Sequence, residues 1–263
     1  MTYSLVRPSA DQEGAFLRIL TQHDVWEPQA LDGVAKPKSF PFGRDSWIFV
    51  MSEEGRPVAI LIFVSLGQGV YEQHSAIPEQ YRGSWNQMIE EAHRALFFQT
   101  DATMIVTFCP DWMPLLTKVS ARFGAKKMWH KDFIGNRSSV PYGADMMGLT
   151  VMDWAWRNHL SFKEQGHEWH EAAFAEGAQH HDDDIAHDGF VGLALQMSVE
   201  QPQKAQMVYN TWARTAGYYP LSILWASDGN SLIDIGSSTI LNRGGKFAAA
   251  LPVLCPQPPP SSP

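Results

Sequence analysis

Val70-Tyr71-Glu72-Gln73-His74-Ser75-Ala76-Ile77-Pro78, followed after one residue by Gln80-Tyr81-Arg82-Gly83, is the stretch on which the fold turns. Residues 70–76 alternate in the manner of a strand, with Glu72 and His74 on one face and Tyr71 and Gln73 on the other. The chain turns at Gly83, and a helix is expected to about residue 99, with Met88, Ile89, Ala92, Ala95, Leu96 and Phe97 at helical spacing. Residues 104–108 are rich in β-formers. Pro110 and Pro114 then bracket the start of a helix carrying Leu115, Leu116, Val119 and Phe123, which Gly124 ends. Residues 71–124 thus run strand, tight turn, helix, strand, helix.

Upstream, residues 3–6 read as a first strand. Ser9 offers an N-cap to a helix whose apolar face is Phe16, Leu17, Ile19 and Leu20. Residues 27–44, rich in Pro, Gly and polar side chains, read as an irregular connection. Strands are expected over 47–51 and over the continuous apolar run 58–64, the latter suited to the middle of a sheet. Downstream, residues 126–133 and 145–152 read as further strands.

The chain changes character near residue 153. A helix is expected over 154–174, then a loop rich in His and Asp, a helix over 203–215, and short strands at 222–225 and 232–235. Residues 256–263 form a Pro-rich, extended tail. The expected organisation is therefore a first domain over 1–152, an accessory domain over 153–255 and a tail over 256–263.

Composition excludes several classes. The chain has 263 residues, 44% hydrophobic and 18% charged, enough for a packed core. Its net charge is −8 and it has no run of Lys or Arg, which argues against direct nucleic-acid binding, since neutralising phosphates supplies most of that affinity. No stretch reaches the length of a membrane helix, and the N-terminus reads as no signal peptide. Cys109 and Cys255 lie too far apart in sequence to suggest a structural disulfide, and the expected site of synthesis is a reducing cytoplasm.

Over residues 1–150 the pattern resembles the GNAT superfamily of acyl-CoA-dependent N-acetyltransferases. It is most similar there to acetyltransferase-like proteins of tailed bacteriophages, chiefly short-tailed ones. The residues that carry this are 70–78, the Arg82-Gly83 turn, Thr100-Asp101, the strand ending in Pro110, and Ala121-Arg122-Phe123-Gly124-Ala125. Two later segments, His187-Asp188-Gly189-Phe190-Val191-Gly192 and Val208-Tyr209-Asn210-Thr211-Trp212-Ala213, resemble the same phage proteins.

The resemblance implies an α+β fold: a mixed central sheet flanked by helices, with a C-terminal α/β accessory unit. In an active relative the turn would hold the diphosphate of acetyl-CoA, which assigns Gln80, Tyr81, Arg82, Gly83 and Ser84 to the cofactor. Glu72 or His74 would serve as general base for an amine. The pattern also departs from the family. Trp85 stands where the loop calls for Gly or Ala, Met113 where many relatives carry Asn, and Ser120 where Tyr often protonates the leaving thiolate.

Two readings follow. One is a bacteriophage virion-associated or assembly protein: a degenerate acetyltransferase-like scaffold that binds no cofactor and whose partners are other phage structural proteins and itself. Its place would be the virion after synthesis in the host cytoplasm. The other is an active acetyl-CoA-dependent N-acetyltransferase acting on a protein or small-molecule amine.

Other clusters favour structural roles. Six of the ten His fall late, at 159, 167, 170, 180, 181 and 187, but their spacing matches no metal site, and no metal is expected. Cys109 has no base beside it in sequence and reads as a buried small hydrophobe. Tyr209, Trp212, Tyr218, Tyr219 and Trp225 read either as a core or as a docking face.

Overall fold

The apolar run at 58–64 does form the middle of a sheet. Ala59, Ile60, Leu61, Ile62 and Phe63 are each 0% exposed, so this strand is covered on both faces. The computed structural model describes residues 1–43, 45–174, 185–218, 220–227, 230–235, 238–243 and 246–249. Its contacts divide the chain into two units, Met1–Trp154 and Ala155–Pro263. The Pro-rich tail, Cys255, Tyr219 and His180 to Asp184 lie outside the described residues.

The first unit runs β1 Thr2–Val6, α1 Ala10–Leu20, α2 His23–Trp26, β2 Trp47–Glu53, β3 Arg56–Gly67 and β4 Val70–Ala76. A 3₁₀ turn, Glu79–Ser84, leads into α3 Trp85–Gln99. Then come β5 Met104–Pro110, α4 Pro114–Arg122, β6 Lys126–Arg137 and β7 Val140–Thr150. Seven strands form one sheet in the order β1-β2-β3-β4-β5-β7-β6. Every pairing is antiparallel except β4 with β5. This is the mixed sheet flanked by helices that the resemblance implies.

Side-chain alternation splits the core into two layers. On one face Phe16, Ile19, Val25 and Phe40 pack against Ile48, Val50, Ile60, Ile62 and Ala76. The alternate residues of the same strands, among them Phe49, Met51, Leu61 and Phe63, are buried on the other face. There α3 supplies Met88, Ala92, Leu96 and Phe97, and its His93 meets Gln73 of β4 at 2.7 Å.

Local chemistry sets how β4 meets β5. Gly69 has φ +73, and a Cβ there would stand 2.6 Å from the Asp101 carbonyl oxygen. The absence of a side chain lets Gly69 O accept from Thr103 N–H at 2.8 Å and Met104 N–H at 3.2 Å. Tyr71 Oη adds a bond to Asp101 Oδ1 at 2.5 Å. The two strands are thus pinned at one end. They pair only from Val70/Met104 to Glu72/Val106.

The second unit holds the rest of α5 Val151–Asn158, a 3₁₀ turn His159–Phe162, α6 Lys163–Phe174, α7 Ile185–Ser198 and α8 Pro202–Ala216. A four-stranded antiparallel sheet follows: β8 Ser222–Ser227, β9 Asn230–Ile235, β10 Ser238–Arg243 and β11 Lys246–Ala249. α6 and α7 cross closely: a Cβ on Gly166 of α6 would run into the Asp188 backbone of α7.

Several expectations are corrected. The strand expected over 145–152 ends at Thr150, because Thr150 Oγ1 accepts from Asp153 N–H at 3.1 Å and so caps α5. The single helix expected over 154–174 is broken by the 3₁₀ turn at 159–162. α7 was not foreseen: it is buried nearly all round, so it lacks an amphipathic period. β10 and β11 were not foreseen either.

Candidate functional site

Beyond Glu72 and Val106 the backbones of β4 and β5 part. β4 continues to pair only with β3, through Ala76, and β5 only with β7, through Pro110. Residues 73–76 and 107–110 therefore face each other as two backbone edges that form no ladder between them. The link across them is Thr107 Oγ1, which donates to Gln73 O at 3.2 Å.

The space between is a cavity of about 360 Å³. Its lining includes Gln73, Thr107 and Cys109 from one face of the sheet and Glu72, His74 and Phe108 from the other. By strand alternation the cavity must pass through the sheet. α3 walls it with Trp85, Ile89 and His93, spaced i, i+4, i+8, and α4 with Leu116, Val119 and Ser120.

At the α1 face Glu72 Oε1 lies 3.3 Å from His74 Nε2, with the side chains 23% and 40% exposed respectively. Phe42 packs against the imidazole, with ring centroids 5.4 Å apart. Desolvation lowers the His74 pKa, and the Glu72 charge offsets part of that. A neutral imidazole can accept a proton.

At the opposite face Cys109, 2% exposed, places Sγ 3.6 Å from Ser120 Oγ. Burial pushes the thiol pKa up, so Cys109 stays protonated rather than becoming a thiolate nucleophile. The expected small buried hydrophobe is thus also part of a cavity wall.

The stretch expected as an irregular connection closes the α1 side. Gln29 and Leu31 line the cavity. Gln29 Nε2 donates to Val25 O at 3.0 Å and to Ser75 O at 3.2 Å, on the free edge of β4. Arg137 donates to Pro28 O at 2.8 Å and Ala30 O at 3.1 Å, and Trp112 Nε1 to Pro28 O at 3.1 Å. Asp32 accepts from Ser138 N–H at 2.9 Å and Ser139 N–H at 2.7 Å. A strap over 28–32 is thereby tied to the β6–β7 hairpin. Sequence reading missed Gln29, Gln73, His93 and Trp112. The Asn136-Arg137-Ser138-Ser139 turn was the signal that could have marked the hairpin.

The turn residues assigned to a cofactor sit apart. Gln80, Tyr81, Arg82, Gly83 and Ser84 form the 3₁₀ turn, and none of the five lines the cavity. Trp85, the residue after them, does line it, and its indole Nε1 is buried without a hydrogen-bond partner. Met113 is the N-cap of α4 and Ser120 lies inside that helix, both in the cavity wall.

Among the described side chains, three of the late histidines are held by their own neighbours. His159 stacks on Phe190 at 4.6 Å, and His187 on Tyr218 at 4.3 Å with Nε2 3.0 Å from Tyr209 Oη. His167 Nδ1 is 3.9 Å from Asp188 Oδ2. Among the described residues no group of three or more His, Cys, Asp or Glu is placed to hold a metal ion. Tyr209 and Trp212, 0% and 3% exposed, belong to the core of the second unit.

Comparison with protein-family models and with curated proteins finds no match. Among solved structures, the chain is similar to a provisionally assigned phosphinothricin N-acetyltransferase at 14% identity and TM-score 0.49, covering 57% of this chain and 99% of that one. It is similar to a mutant of the spermidine N-acetyltransferase from Vibrio cholerae at 10% identity and TM-score 0.49, covering 60% and 99%. A provisionally assigned acetyltransferase from Acinetobacter baylyi ADP1 matches at 17% identity and TM-score 0.48, covering 57% and 93%. The first unit has a GNAT-like fold, read from its own strand order and its one splayed parallel pair.

Proposed function

We propose that the first unit binds an acyl thioester in the cleft between β4 and β5 and transfers its acyl group to an amine. The observation that carries this is the cavity itself, open through the sheet where β4 and β5 form no ladder. Acetyl-CoA is the donor that the fold implies. Its amide-bearing pantetheine arm fits the slot, because extended amides can bond the edges as an added strand would. Its nucleotide diphosphate fits the turn at 79–84 poorly, because the Glu79 and Tyr81 amides already have acceptors.

The residues divide the work by position. His74, or Glu72 beside it, accepts the proton of the incoming ammonium, directly or through one water. The freed amine forms the C–N bond as the C–S bond breaks, and the thiol departs carrying a proton. Ser120, beside the protonated Cys109, offers a hydroxyl on the far side of the cleft. The test is thiol release from acyl thioesters over a panel of amines, with Glu72→Gln and His74→Asn as controls. Release that needs both amine and protein, and that falls in the controls, is expected. No release with any thioester would remove the reading.

A second reading, a scaffold in a bacteriophage particle or its assembly intermediates, has its own support. Trp85 lines the cavity where a small residue is called for, and β6, at the sheet edge, exposes Met128 at 49%, Trp129 at 43% and Phe133 at 55%. Such a face suits phage structural proteins or a second copy. Mass spectrometry of purified virions and assembly intermediates tests it, and consistent absence of the chain would exclude it.

A further inference from the structure

Amides at the turn ahead of α3 are in use at Glu79, Tyr81 and Trp85. Glu79 N–H donates to Asp24 Oδ2 at 2.5 Å, and Tyr81 N–H to Pro78 O at 2.9 Å. Trp85 N–H donates to Arg82 O, and the 3₁₀ winding between engages further amides in i→i+3 bonds. A diphosphate binds a helix N-terminus through amides that lack another acceptor.

Charge argues the same way. Asp24 lies on the turn, Glu79 opens it, and Glu53 Oε2 accepts from Tyr81 Oη at 2.9 Å. Arg82, the cation within the turn, donates to Asp24 O at 2.9 Å. A polyanion placed here stands beside the Asp24 and Glu53 carboxylates as well as Arg82. Gly83 adds nothing for close approach, because it is exposed and a Cβ on it would meet no atom within 4 Å. Trp85 completes the barrier, since its ring joins the cavity wall at the end of α3 nearest the turn.

We infer that the cleft takes its acyl donor by a slender pantetheine-type thioester arm and does not read a nucleotide diphosphate. This rests on the acyl-transfer reading above and specifies its donor. The bonds made and broken are unchanged: the amine nitrogen gains the acyl carbon, and the arm leaves as a thiol. Recognition lies in the edges at 73–76 and 107–110, which form no ladder with each other, and in the Trp85 wall; Gln73 O and Ser75 O each already accept one side-chain bond. Such an arm can arrive as a small thioester or on the phosphopantetheine of a carrier protein, and both present the same chemistry to the cleft.

The experiment titrates the full chain calorimetrically with acetyl-pantetheine and with acetyl-CoA, then compares thiol release from these donors and from an acetyl-loaded acyl carrier protein. Binding of acetyl-pantetheine at least as tight as acetyl-CoA is expected. Preference for the free arm or for the carrier supports the inference and names the source. Asp24→Ala, which frees the Glu79 amide and removes a carboxylate outside the cavity lining, should tighten acetyl-CoA binding by about tenfold, one step on the affinity scale, while leaving acetyl-pantetheine within about threefold. Acetyl-CoA binding ten or more times tighter than acetyl-pantetheine in the unaltered chain would overturn the inference and leave acyl transfer standing. Binding of neither would remove both.

Discussion

Glu72 and His74 stand two residues apart on β4, share its α1-side face, and bring Oε1 within 3.3 Å of Nε2. The carboxylate favours the imidazolium while desolvation disfavours it, and desolvation is the larger effect. His74 therefore titrates below the ordinary histidine value of about 6.5. Thiol release should be flat near neutral pH and fall on an acid limb below that value. Glu72→Gln removes the favourable charge, so the limb should move to still lower pH. Imidazole proton shifts followed by NMR check the same titration without turnover. A limb that moves up in Glu72→Gln would contradict the assigned coupling.

The same shift has a stability consequence. Because the unfolded chain binds this proton more tightly than the folded one, stability should decline as pH falls from about 6.5 through the folded value. Denaturant unfolding of the parent and of His74→Asn across that window should show the slope in the parent and a reduced slope in the variant.

Gly69 holds the closed end of the cleft. Gly69→Ala would place a Cβ 2.6 Å from Asp101 O at a φ of +73. A loss of about 2–3 kcal/mol is expected from clash and backbone strain together. Gly83→Ala meets no atom and should stay within about 0.5 kcal/mol of the parent. Equal costs at the two positions would mean that the β4–β5 pin is misread.

Asp32 ties the strap to the hairpin. Its oxygens accept from Ser138 and Ser139 N–H, and both serines hold positive φ, at 51° and 63°. Asp32→Ala leaves two exposed amides to water and should cost about 1 kcal/mol, the size of a lost cap. Proteolysis within residues 28–34 should quicken, whereas an unchanged cleavage pattern would argue against the tie.

Cys109 permits a blocking test. Cys109→Leu adds apolar volume at the cavity wall, where there is room for it. Stability should fall by about 1–3 kcal/mol, yet any thermal shift produced by a thioester should vanish. A variant that binds normally would place the ligand elsewhere.

Much of the fold was legible because its signals are local. Residues 58–64 form one apolar run, Gln80 to Gly83 punctuate a strand and a helix, and Pro114 and Gly124 bracket α4. Glu72 and His74 share a face because strand period alone puts them there. What sequence could not give was long-range. Gln29 reaches Ser75, Arg137 reaches Pro28, and His93 reaches Gln73 only after the sheet has formed. α7 stayed hidden for another reason: burial on nearly every side erases the period that marks a helix.

The most direct test is calorimetric titration of the full chain with a thioether analogue of acetyl-pantetheine, which cannot transfer its acyl group. The account predicts saturable heat in the unaltered chain and none in Cys109→Leu. An unaltered chain that shows no heat up to millimolar analogue would contradict the claim that this cleft binds a thioester arm.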